Sequence, residues 1–213
     1  MAAVAVFQTY VAYTGKLDDV DASFLKSDRA PERILRNLPV TIDGRFPAYE
    51  APATTLAMLC RYVGLYATPT WQVLGRVPDR CGEPRLASTV HTNAYAPVRV
   101  PRPGAGELIA ARYTGSDRPW ERIEATAFKL GQRTVLINQN PFRLIPDTAD
   151  HSLIMNVPAS SDYSGAFALS PGASQLAVIR GALGAPSNAR VDYDFYRIPI
   201  RGSACRQGRA DNA

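Results

Sequence analysis

Thr134–Ile145, TVLINQNPFRLI, is the stretch whose reading decides the fold. Val135-Leu136-Ile137 is an apolar, partly β-branched run of the kind a buried strand needs. Asn138-Gln139-Asn140-Pro141 is turn chemistry, and Phe142-Arg143-Leu144-Ile145 returns as a second run. The pattern predicts a β-hairpin with a loop of about four residues. Further strands are expected on either side, at Glu107–Tyr113, Arg122–Phe128, Ser152–Val157, Ala166–Leu169, Gln175–Ile179 and Arg190–Ile200. In the last of these, Val191, Tyr193, Phe195 and Arg197 fall on one face and Asp192, Asp194, Tyr196 and Ile198 on the other. Strand after strand with no helical pattern between them predicts an antiparallel β-sandwich, jelly-roll-like, over 107–200.

The region before that series reads differently. Pro101-Arg102-Pro103-Gly104-Ala105-Gly106 resists both helix and central strand. A linker is therefore expected at 101–106, between a mixed α/β region over 1–100 and the β region, with a polar, disordered tail over 201–213. The whole chain is then α+β and mainly β. Leu17–Leu38 reads as helical, with Asp18, Asp19 and Asp21 near its start, where carboxylates suit the helix dipole. Pro31 is expected to open a second helix. Thr54–Tyr66 reads as another helix and Trp71–Leu74 as a strand. Met1–Thr14, MAAVAVFQTYVAYT, is apolar but shorter than a bilayer span, and it lacks a basic lead. It reads as a buried first element, the end of a membrane helix, or an interfacial anchor.

With 213 residues, 46% hydrophobic and 20% charged, the chain has ordinary globular composition, and its 17 Pro and 15 Gly suit a loop-rich β protein. Twenty-one Arg stand against three Lys, a skew expected of a GC-rich bacterial gene. The formal charge is +5, but the arginines are scattered among acids and form no basic stripe, which argues against a nucleic-acid partner. Cys60, Cys81 and Cys205 match no zinc spacing, so neither a metal nor any other cofactor is expected. Cys60 and Cys81 are either a disulfide or two thiols.

Catalytic signatures are missing. His91 and His151 have Ser and Asp residues near them in sequence, but there is no Gly-x-Ser-x-Gly elbow, and adjacency does not build a triad. The aromatics suggest binding instead. Trp71, Trp120, Tyr113 and Tyr163 lie in or beside predicted loops and strand ends, where exposed rings can serve as flat platforms for the C–H face of a sugar. Asp162, beside Tyr163, is placed to bond hydroxyls.

Phe142–Gly181, FRLIPDTADHSLIMNVPASSDYSGAFALSPGASQLAVIRG, followed by VDYDFYRIPI at Val191–Ile200, resembles the extracytoplasmic C-terminal domains of large actinobacterial membrane proteins of the membrane glycosyltransferase type. The likeness covers roughly the last hundred residues and rests on the PDTAD turn, the VPA-x-x-DY segment and the FYR-x-P strand. It implies a carbohydrate-binding-like β-sandwich outside the cytoplasm, at the cell envelope, and it carries over no active-site residue. The expected function is non-catalytic binding of a cell-wall or envelope glycan. A membrane protein or membrane surface is the second partner expected, through the apolar N-terminus. The alternatives are a glycoside or ester hydrolase and a structural or assembly subunit of an envelope complex.

Overall fold

The computed structural model describes residues 14–37, 46–115, 133–144, 148, 151–158, 167–180 and 190–201. The expected strand at Arg122–Phe128 lies outside them, as do the apolar segment before Thr14 and the tail after Arg201. Helix α1 is Gly15–Lys26 and α2 is Pro52–Arg61. The strands are β1 (Arg33–Asn37), β2 (Tyr62–Ala67), β3 (Trp71–Arg76), β4 (Arg85–Asn93), β5 (Val98–Arg99), β6 (Glu107–Gly115), β7 (Arg133–Ile137), β8 (Asn140–Leu144), β9 (Leu153–Asn156), β10 (Gln175–Arg180) and β11 (Arg190–Pro199).

The fold is mainly β, with antiparallel pairing throughout the described strands. One sheet has three strands in the order β1-β3-β2; two have four, in the orders β5-β10-β7-β8 and β4-β11-β6-β9. Residues of all three sheets and both helices join one hydrophobic cluster, in which Tyr62, Leu74, Leu108, Val135, Leu176, Tyr193 and Phe195 are fully buried. The alternation expected of the last strand holds as far as Phe195: Val191, Tyr193 and Phe195 are buried and the residues between them half-exposed. Beyond the register shift at Phe195/Tyr196, Arg197 is half-exposed and Ile198 is buried, the reverse of the expected faces.

The hairpin forms with a tighter loop than expected. Ile137 pairs with Asn140 and Leu136 with Pro141, so only Asn138 and Gln139 lie in the loop. Their φ angles of 50° and 70° are the left-handed conformation that a type I′ turn requires. Pro141 sits inside β8 because β8 is an edge strand, where a missing N–H costs no ladder bond. Residues 167–169 form no strand, contrary to expectation.

Two helix assignments are corrected. Arg33–Asn37 is a strand, not a second helix, because alternation places Ile34 and Arg36 inward against β3. Thr54–Tyr66 breaks at Arg61: Tyr62-Val63-Gly64-Leu65-Tyr66-Ala67 is β2; its Tyr and Val favour the pleated ladder with β3, and Gly64 disfavours another helical turn. The 101–106 stretch does not separate two sheet systems. Strands β4 and β5 precede it, yet they pair with β11 and β10 beyond it.

Remote side chains cap α2 at both ends. Ala51 provides no side-chain cap. Instead the fully buried Asp18 of α1 accepts from the Ala53 and Thr54 N–H groups at 2.8 and 2.9 Å and from Thr54 Oγ1 at 2.8 Å. Asp18 therefore serves the N-terminus of α2 rather than the dipole of its own helix. At the other end, buried Arg80 donates from Nη2 to the carbonyls of Leu59 and Tyr62 at 2.7 and 2.9 Å. Arg76 does similar work after α1, donating to the carbonyls of Ser27 and Ala30. Some of the arginine excess is thus internal carbonyl capping.

Candidate functional site

The three-stranded sheet presents an exposed aromatic and aliphatic face. Asn37 lies opposite Trp71, Leu35 opposite Val73, and Val73 opposite Tyr66, so these side chains share one side. Trp71 is 43% exposed, Tyr66 66%, Leu35 62% and Leu65 51%. A bulge between Gly64 and Tyr66 sets Leu65 over Gly75, where an added Cβ would come within 2.8 Å of Leu65 Cδ1. Thr68 fixes Trp71: the Trp71 N–H donates to Thr68 Oγ1 at 2.9 Å, and the Thr68 N–H donates to the Trp71 carbonyl at 2.7 Å. The opposite face of the same strands is inside, with Gln72 and Leu74 buried. Arg36 bonds Gln72 there and lies over the Phe167 ring. Flat exposed rings on a stiff ladder, rimmed by the exposed Asn37 and Thr70, can stack on an apolar ligand face and bond its edges.

A second exposed surface is polar. On β4, β11 and β6, Asp192 lies between His91 and Thr114, and Asp194 between Thr89 and Arg112. His91 Nδ1 is 2.7 Å from Asp192 Oδ1, and Thr89 Oγ1 donates to Asp194 at 2.5 Å. Arg112 lies 5.1 Å above the Tyr196 ring and donates to Ser152 Oγ at 3.0 Å. These groups satisfy one another as cross-strand pairs on an open ladder.

His151 is committed elsewhere. Its Nδ1 is 2.7 Å from Asp18 Oδ2 and its Nε2 is 3.3 Å from Asp19 Oδ1. The cluster ties α1 and the start of α2 to the segment before β9. Ser152 turns to Arg112 and His151 to the two aspartates, so these neighbours in sequence do not combine into a Ser-His-Asp triad.

Among the expected platform residues, Trp71 is exposed on the aromatic face. Tyr113 is corrected: it is 2% exposed, pairs with Tyr193 inside β6, and offers no platform. Trp120, Asp162 and Tyr163 lie outside the described residues. Tyr66, Leu35 and Asn37 join Trp71 against expectation, since the helical readings of Thr54–Tyr66 and Leu17–Leu38 place them on helices; the residue types of RILRN do not alternate between polar and apolar, so no period-two signal marks β1 in the sequence. Cys60 and Cys81 are bonded, with Cα atoms 5.2 Å apart. Among the described residues no helix is long and apolar enough to cross a membrane.

Comparison with known proteins finds no matching protein family, no matching characterised protein and no matching solved structure.

Proposed function

We propose that this protein is a non-catalytic glycan-binding domain that works outside the cytoplasm, at the cell envelope. The observation that carries this reading is that exposed Trp71 and exposed Tyr66 share one face of the β1-β3-β2 sheet, beside Asn37 and Thr70. The rings cover the C–H face of a saccharide and the rim groups bond its hydroxyls. The Cys60–Cys81 disulfide supports an oxidising compartment. In this reading the two four-stranded sheets are the halves of a jelly-roll-like sandwich that holds the platform, and the apolar N-terminus contacts a membrane surface or membrane protein.

Calorimetric titration against envelope polysaccharides tests the proposal. Trp71→Ala and Tyr66→Ala should each weaken binding by about ten-fold, the effect of removing about 1.4 kcal/mol of stacking. Absence of binding to any polysaccharide, or silence of both variants, overturns it. One observation favours a second reading, an assembly subunit of an envelope complex: Leu35, Leu65 and Val73 make the face more aliphatic than a sugar platform needs. That reading predicts a defined oligomer or complex in sedimentation, disrupted by Leu35→Asp.

A further inference from the structure

The side chains of Cys60, Cys81 and Asp79 bring their sulfur and carboxylate atoms within 4.8 Å of one another. Sequence spacing hides this grouping, because the cysteines are separated by 21 positions. The end of α2 and the turn before β4 bring them together. Asp79 is exposed, Cys81 half-buried and Cys60 buried, so the cluster opens to solvent on the carboxylate side.

The backbone here is held by bonds that do not involve sulfur. The Arg80 N–H donates to the Cys60 carbonyl at 3.0 Å and the Val77 N–H to the Arg61 carbonyl at 2.8 Å. Arg80 Nη2 fastens the same turn to the Leu59 and Tyr62 carbonyls. On the far side, Cys81 forms a bridge with Ile200, and the Gly82 N–H donates to the Pro199 carbonyl at 2.8 Å. The Cys81 N–H donates to Asp79 Oδ1 at 3.0 Å, which fixes the carboxylate beside the sulfurs. None of these restraints is made by a sulfur atom.

We infer that Cys60, Cys81 and Asp79 form a redox-gated site for a thiophilic divalent cation such as zinc, closed in the disulfide form and opened by a dithiol reductant. Two electrons and two hydrogens pass from the dithiol to the two cysteine sulfurs. The S–S bond breaks, and the dithiol closes into its own disulfide. Metal binding then releases the two thiol protons to solvent and replaces them with two metal–thiolate bonds. The Asp79 carboxylate is the third ligand and water completes a tetrahedral set. Thiolates at about 2.3 Å from the ion select soft metals over calcium or magnesium.

The test uses the full chain carrying Cys205→Ser, so that only Cys60 and Cys81 can supply thiols. A phosphine reduces the disulfide, becoming its oxide with oxygen from water. After its removal under anaerobic conditions, the protein is titrated with cadmium and followed by its thiolate charge-transfer absorption. One cadmium per chain is expected in the reduced protein and none in the oxidised protein. Asp79→Asn should weaken binding at least ten-fold, and Cys60→Ser should abolish the absorption. Three outcomes overturn the inference: no uptake by reduced protein, equal uptake by Asp79→Asn, or loss of the far-ultraviolet circular dichroism spectrum on reduction before metal is added.

Discussion

Asp18 shows how much a single buried side chain carries. Its carboxylate is fully enclosed and accepts from two backbone N–H groups and the Thr54 hydroxyl while meeting His151. Asp18→Ala would leave the first turn of α2 with buried, unsatisfied donors and should cost about 3 kcal/mol of stability in urea denaturation. Asp18→Asn keeps one acceptor oxygen and should cost less. A destabilisation below about 1 kcal/mol for Asp18→Ala would show that water replaces the carboxylate there. The residue's identity was legible in the chain but its role was not. Three aspartates at a helix start suggest dipole compensation, and only tertiary packing reveals that Asp18 faces inward to a different helix. Trp71 was legible as an exposed ring, whereas Tyr113 was not recognisable as buried, because its neighbour across the ladder, Tyr193, lies 80 positions away.

Local chemistry decides the elements where it is unopposed. The β7–β8 hairpin was readable from its two apolar runs, but the loop length was not, since Pro141 looks like a turn residue until its strand is known to lie at an edge. Gln139 holds a φ of 70° without the freedom of glycine. Gln139→Gly should therefore raise stability by about 0.5 kcal/mol, read as a higher urea midpoint with unchanged slope; a lower midpoint would show that unfolded-state entropy outweighs the relieved strain. The start of β6 gives a pH-dependent counterpart. The Arg197 guanidinium, donating to Glu107 at 2.8 Å, and the Gly104 N–H hold the Glu107 carboxyl below its ordinary value of 4.5. A depressed value means that the ion favours the fold: this contribution is present above 4.5 and is lost as pH falls through the lower folded value. The Gly104 amide shift in NMR should titrate with a midpoint below 4.5, and Arg197→Gln should move that midpoint upward. An unchanged midpoint in the variant would remove Arg197 as the cause.

At the scale of the molecule, the Pro/Gly stretch at 101–106 looks like a boundary in one dimension and is a connection in three. Composition changes there, which is why the sequence suggests two regions, but strand pairing is non-local and composition does not record it. Strand β11 lies between β4 and β6, and β10 lies between β5 and β7. A fragment of residues 107–213 would lose β4 and β5 together. It would turn β11 and β10 into edges with unpaired backbone groups and remove Val98 and Val100 from the shared hydrophobic cluster. That fragment, produced alone, should lack a cooperative thermal transition and should aggregate. Co-expression with residues 1–106 should restore a soluble complex, because every pairing that crosses the stretch is non-covalent. Circular dichroism melting of the fragment and gel filtration of the co-expressed pair measure both parts. A cooperative melt from the fragment alone would show that the C-terminal strands carry their own core and that the pairings with β4 and β5 only decorate it.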